Sequence, residues 1–256
     1  MKKLLVLVLA LCMVFALVAC GSDNKDGTET TETPATTDAP KDTEDPKGTE
    51  GEPASDVMTH EEFMAAALED EVVVETYVQA CQSWWDNKIT VYCQSEDGAY
   101  FLYELACTEE DAAKLVAGTK IKVKGYKAEW SGEVEIVDGT FEFVEGEKYV
   151  AEAFDATELL GTEDLIKHQN EFVSFKGMTV EKIEYKNGEP GDDIYVTLKK
   201  GDASYSFCVE KYLTGPDTDL YKAVGELKTG DVIDVEGFLY WYENVNTHIT
   251  AVKAAA

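Results

Sequence analysis

The sequence predicts a mostly β protein whose folded part is two small barrels in tandem, each of five strands and one short helix. Three observations carry that expectation. Apolar and polar residues alternate with period two in runs that begin at Glu71 and recur almost to the C-terminal end, the pattern of half-buried strands. One phrase is written twice, GTKIKVKGY from Gly118 and GDVIDVEGF from Gly230, 230 − 118 = 112 residues apart. Around each copy the strands come in the same order, three before a short helix and two after it.

In the first copy Val72, Val74, Thr76, Val78 and Ala80 share the inward face of strand one, and Ile89, Val91 and Cys93 that of strand two. Phe101, Tyr103 and Leu105 are expected to face inward from strand three. Glu96-Asp97-Gly98 reads as a three-residue hairpin loop, which sets Cys93 opposite Phe101. Thr108-Glu109-Glu110-Asp111 has capping-box spacing and opens a helix through TEEDAAKLV. Strand four runs from Lys120 to Trp130 with Ile121 and Val123 inward, and Val134 and Ile136 open strand five.

In the second copy the strands are expected at Phe172 to Val180, Ile194 to Leu198, Tyr205 to Val209, Val232 to Tyr240 and Val245 to Val252, with the helix at Asp219 to Val224. An acidic helix precedes each copy, opened by Thr59-His60-Glu61-Glu62 in the first and running from Thr157 to Lys167 in the second. The join falls near Gly146 to Asp155.

Three strands, a helix and two strands, with Gly125 ending the inward row of strand four, resemble the OB-fold, a five-stranded Greek-key barrel. The segments KITVYCQSEDGAYFLYEL and GTKIKVKGYKAEWSGEVEI look like the OB modules of secreted and surface-anchored bacterial proteins.

The chain begins MKKLLVLVLALCMVFALVAC, two lysines before an apolar run too short to span a bilayer comfortably, which reads as an export signal. Its end, Leu17-Val18-Ala19-Cys20-Gly21, resembles the lipobox of bacterial lipoproteins. That resemblance implies cleavage before Cys20, a lipid on Cys20, and a protein anchored to the cell membrane on its extracytoplasmic side. Residues 21–57 are Thr, Glu, Asp, Pro and Gly with almost nothing to bury, the composition of a tether. The expected organisation is a signal peptide over 1–19, the lipidated cysteine and acidic linker over 20–57, and OB-like domains over 58–146 and 147–256.

Charge bears on the partner. The formal net charge is −29, and all 22 basic residues are lysines. Nucleic-acid grooves concentrate positive charge, and arginine is the usual bidentate reader of phosphate and guanine. On that ground nucleic acid is disfavoured as a partner. With Cys12 lost in the signal and Cys20 spent on lipid, Cys81, Cys93, Cys107 and Cys208 remain. Cys93 and Cys107 stand too far apart along strands two and three to bridge, so small buried thiols are expected there. The sequence has no CxxC, and His60, His168 and His248 are scattered, so no metal site and no cofactor is expected.

In OB modules ligands lie across strands two and three, between the one-two and four-five loops. The resemblance therefore implies a binding face made of Tyr77, Gln79, Tyr92, Gln94, Tyr100 and Tyr126, with Lys120, Lys122 and Lys124 as a solvated edge. Trp84 and Trp85 sit in the one-two loop of the first copy and Trp130 at its four-five turn. Tyr240, Trp241 and Tyr242 sit at the four-five turn of the second. Trp85 and Trp241 read equally as plugs over a barrel end or as ligand platforms. Aromatic platforms beside amides suit the apolar and hydroxyl faces of neutral sugars, so the expected function is a polar-ligand module, for an oligosaccharide above all. The alternatives are a protein-interaction or spacer component of a surface complex and, less favoured, a single-stranded nucleic-acid binder. No GxSxG or HExxH motif and no isolated carboxylate pair marks an enzyme.

Overall fold

The protein is described here by a computed structural model over residues 56–255. The signal segment, Cys20 and all but the last two residues of the acidic linker lie outside the described residues. The chain opens with α1 (His60–Ala65), whose Thr59 cap and Glu62 form a reciprocal capping box. The first barrel follows as β1 (Glu71–Cys81), β2 (Lys88–Ser95), β3 (Gly98–Ala106), α2 (Glu109–Ala112), β4 (Lys120–Trp130) and β5 (Glu133–Phe143). It closes in the order β1-β2-β3-β5-β4, which is the OB arrangement. Phe63 of α1 seals its base against Tyr100, and Val91, Leu102, Ile121 and Ile136 fill the interior.

The second barrel comprises β6 (Phe154–Asp155), β7 (Phe172–Tyr185), β8 (Ile194–Lys200), β9 (Ala203–Val209), α3 (Asp219–Glu226), β10 (Val232–Phe238), β11 (Trp241–Tyr242), β12 (Asn244–Val245) and β13 (His248–Ala254). Its sheet runs β10-β13-β9-β8-β7-β6 and closes through β10–β7 pairing, while β11 and β12 form a separate small hairpin. The helix expected over Thr157 to Lys167 is two 3-10 turns, Thr157–Leu159 and Leu165–His168. Both barrels belong to one compact unit.

The repeated phrase does the same structural work in both copies. Gly118 and Gly230 adopt φ of 87° and 95°, which favours glycine. Gly118 N donates to Val78 O and Val78 N to Thr119 O; Gly230 N donates to Val180 O and Val180 N to Asp231 O. This reciprocal pair hooks strand four onto strand one and closes each barrel. Seven residues on, a Cβ on Gly125 would meet the Val137 carbonyl at 2.8 Å, and one on Gly237 would overlap the His248 carbonyl. Strands four and five shift register at both places, between Lys124 and Tyr126 and between Glu236 and Gly237. A β-bulge bends the strand there to close the barrel.

Strand three departs from expectation. Its hairpin loop has two residues, Glu96 and Asp97, so Ser95 pairs with Gly98 and Cys93 with Tyr100. One residue of register moves every side chain to the other face. Tyr100 and Leu102 are therefore in the core, and Phe101 and Tyr103 point outward. Glu104, at φ 49°, restores the original parity, so Leu105 is buried as expected.

Candidate functional site

The expected binding face of the first barrel is covered by the second barrel. Tyr92 and Phe101 project outward from β2 and β3, yet they are 1% and 3% exposed. They pack with Phe238 and, around it, Phe172, Leu213 and Tyr240. The Tyr92 and Phe238 rings stack at 4.6 Å. Each such ring removed from water contributes about 1.5–3 kcal/mol.

The polar groups of the face are spent on the same seam. Gln94 Oε1 accepts from Phe172 N at 2.8 Å, and Tyr92 meets His248 Nδ1 at 2.6 Å. The β4–β5 turn is clasped by the second barrel as well. Gln169 donates to Gly132 O and accepts from Val134 N. Trp241 N donates to Glu133 Oε2 at 2.8 Å, and Glu243 N to Ser131 O at 2.7 Å.

The remaining predicted residues scatter. Tyr100 is a core residue, corrected by the shorter hairpin. Gln79 binds the connecting segment, donating to Tyr149 O and accepting from Ala151 N, and Tyr77 packs on Tyr149. Trp84 is a plug: its ring packs on the first core and its Nε1 donates to Cys107 O at 2.9 Å. Tyr126 and Trp130 are exposed but lie on other parts of the surface than the cleft described next. Trp241 is half-buried against the second core and Gly132. Lys120, Lys122 and Lys124 pair with Glu75, Asp56 and Glu71 at 2.6–2.9 Å.

What the seam leaves open is a cleft of about 690 Å³ between the barrels. One wall is Gln82 and the outward ring of Tyr103. The other is the strand-two and strand-three face of the second barrel, with Tyr195, Ser204, Ser206 and Cys208. The β11–β12 hairpin closes one end with Tyr240, Tyr242, Asn244 and Asn246. Gln82 and Tyr103 also line an adjoining arm of about 490 Å³ formed with Trp84, Trp85, Lys88, Glu104 and Tyr212. There Trp85 is 79% exposed and Tyr212 is 53% exposed. A large exposed indole beside other exposed rings in a concave arm is the usual form of a contact site. Of the sequence-predicted residues, the arm and cleft gather Trp84, Trp85, Tyr240 and Tyr242.

Sequence reasoning missed Tyr103, Tyr195 and Tyr212. The signal for Tyr195 was present: the rule that picked out Tyr92 in the first copy, applied to YVT in the second, selects it. Tyr103 was lost to the register error, and Tyr212 lies in a turn after β9 where periodicity says nothing.

Lysines along the cleft are matched by carboxylates: Lys88 with Glu104 at 2.7 Å, Lys186 with Asp193 at 2.8 Å and Lys211 with Asp192 at 3.2 Å. On the floor, Gln82 Nε2 donates to the Tyr92 hydroxyl, which leaves the hydroxyl O–H to donate to His248 Nδ1 at 2.6 Å and favours the tautomer with its proton on Nε2. Burial pushes the His248 pKa down to about 3, so the ring is neutral. At the seam, burial holds Glu133 well above the usual carboxylate range and raises Glu135 to about 7. Among the described residues no group of three or more His, Cys, Asp or Glu could hold a metal ion, and the four cysteines are free thiols. No helix among the described residues is long and apolar enough to cross a membrane.

No family model matches the chain, and no curated protein matches it. Solved structures do match. A murine DNA-binding protein bound with double-stranded DNA is 14% identical over 72% of this chain and 96% of its own, with a TM-score of 0.36. The Ifi202 HINa domain in complex with double-stranded DNA is 12% identical over 74% of this chain and 99% of its own, at 0.35. A replication protein A heterotrimer bound to single-stranded DNA is 11% identical over 73% of this chain and 49% of its own, at 0.29. At such identities and scores no residue role passes from them to this chain. They do overturn one expectation. The expectation that disfavours nucleic acid on charge is corrected by these matches, whose names include binding to DNA; what they bind is said of them alone.

Proposed function

We propose that this chain is a binding module, not an enzyme, held by a lipid on Cys20 at the outer side of a membrane. Its ligand stacks in the arm bounded by Trp85, Tyr103 and Tyr212. The observation that carries the reading is the exposure of these three rings around one notch, while the other aromatic face of the barrel pair is spent on the seam. A short oligosaccharide suits the notch, since its apolar ring faces lie on aromatics and its hydroxyls reach Thr90, Gln82 and the Lys88–Glu104 pair.

Single-stranded nucleic acid is the second reading, because exposed aromatic rings stack bases as readily, worth about 1–3 kcal/mol per base. Titration of the intrinsic tryptophan fluorescence with neutral oligosaccharides and with single-stranded DNA, each at low and high salt, separates the two. Sugar binding is indifferent to salt, whereas binding that neutralises phosphates weakens steeply with it. Trp85→Ala abolishes either response. Binding that survives Trp85→Ala and Tyr212→Ala removes the arm as the site.

A further inference from the structure

In the larger cleft beside that arm, β9 offers its edge as well as its face. Residues Ser204, Tyr205 and Ser206 all line the cleft, although successive side chains of a strand point to opposite faces. Consecutive lining therefore means that the main chain itself is presented.

The pairing fixes which groups are free. The β8–β9 hairpin has a two-residue loop, and Lys200 pairs with Ala203 across it. Tyr205 and Phe207 then exchange hydrogen bonds with β8, while Ser204, Ser206 and Cys208 direct N–H and C=O away from it. Cys208 confirms the phase, because its N–H reaches Thr247 O at 3.0 Å. That contact lies at the one rung where β13 meets β9, His248 opposite Cys208. Continued toward Ser206 and Ser204, the same ladder would use residues 244–246. Those residues are diverted into the β11–β12 hairpin, which is drawn onto the first barrel by Glu133 and Ser131. The outward main-chain groups of Ser204 and Ser206 consequently have no partner among the described residues. Across the opening, Asn246 lines the cleft and its Oδ1 is buried with no hydrogen-bond partner among the described residues, a cost in the empty state that a ligand bearing a donor removes.

We propose that this edge is a docking site for an extended polypeptide segment of a partner protein, which adds a strand alongside β9 in the cleft. Free donors and acceptors recurring every second residue match the repeat of another strand, and strand addition is an established mode of peptide recognition. Nucleic acid and sugar lack alternating amide groups at that spacing. Tyr195, Tyr103 and Tyr242 flank the channel and give alternate side chains of the incoming strand apolar walls. The proposal does not use Trp85 or Tyr212 of the arm, although Tyr103 borders both the cleft and the arm.

The test is selection of linear peptides from a displayed random library on the full-length chain, followed by affinity measurement on the enriched peptides. Ser206→Pro deletes the outward N–H without removing a bond to β8, and proline is tolerated at strand edges. It is expected to weaken binding tenfold or more, with Ser206→Ala and Trp85→Ala unchanged. N-methylation of alternate residues in the peptide is expected to do the same on the wild-type chain, which keeps the test decisive if the proline variant misfolds. A library that yields no binder overturns the proposal. So does a peptide whose affinity is indifferent to N-methylation, or a cleft filled instead by oligosaccharide or oligonucleotide.

Discussion

The Tyr92 hydroxyl of the first barrel and His248 Nδ1 of the second share a hydrogen bond of 2.6 Å, with both side chains buried. Tyr92→Phe keeps the ring stacked on Phe238 but strands a buried imidazole acceptor, which costs about 1–3 kcal/mol. Tyr92→Ala also empties the seam and costs about 3–5 kcal/mol, in the range of other large aromatic truncations. Urea unfolding of both variants checks the order; equal losses would mean that the hydrogen bond contributes nothing.

Stability is expected to fall on both sides of a mildly acidic optimum. His248 takes up its proton near 6.5 when unfolded and near 3 when folded, so stability is lost as pH drops from about 6.5 toward 3. Glu135 runs the other way. Its folded pKa is about 7 against 4.5 unfolded, so the folded form holds a proton that the unfolded form has released, and stability falls as pH rises from 4.5 through 7. Glu133 acts in the same direction, raised by burial, and among the described residues its Oε1 and Asn170 Oδ1 are buried with no partner within hydrogen-bond geometry. Glu133→Gln stays neutral at every pH, still accepts from Trp241 N and supplies a donor toward Asn170. It is expected to raise the urea midpoint above pH 7 and leave it unchanged near pH 4.5. An unaltered midpoint at pH 8 would mean that Glu133 carries no alkaline penalty.

Gly125→Ala and Gly237→Ala are expected to destabilise by well over ~2 kcal/mol, since each new methyl meets a backbone carbonyl rather than a flexible side-chain end. Gly215→Ala, with its nearest neighbour at 3.9 Å, is the control. Thermal melting that ranks Gly215→Ala with the other two would contradict the bulge account.

Trp84 and Trp85 are adjacent but should behave oppositely. Trp84→Ala opens the first core and loses the Nε1 bond to Cys107 O, a cost of about 3–5 kcal/mol. Trp85→Ala should leave the melting transition within about 0.5 kcal/mol, as for other surface changes. Paired melts decide it.

The strand order, the helices at Thr59 and Thr108 and the barrel closures were legible because they depend on local signals: period-two alternation, cap spacing and the repeated glycines. Faces were legible only as far as register was. A loop of two residues instead of three inverted Tyr100, Phe101 and Tyr103 together, and a bulge at Glu104 hid the error by returning Leu105 to the inside. Exposure was not legible at all for Tyr92 and Gln94. An aromatic that points away from its own barrel reads the same whether it meets water or a second barrel. Trp84 and Trp85 looked alike for a similar reason, since which of them folds over the core depends on contacts with Cys107 that lie 23 positions away in the chain.

The clasp between barrels makes the halves unequal. The first has given its strand-two and strand-three face to the seam, and the second keeps the matching face open only because the first holds the hairpin aside. Neither is a portable cassette: cut at residue 146, the leading half would present Tyr92 and Phe101 as a sticky patch, and the trailing half would be free to zip its gap shut.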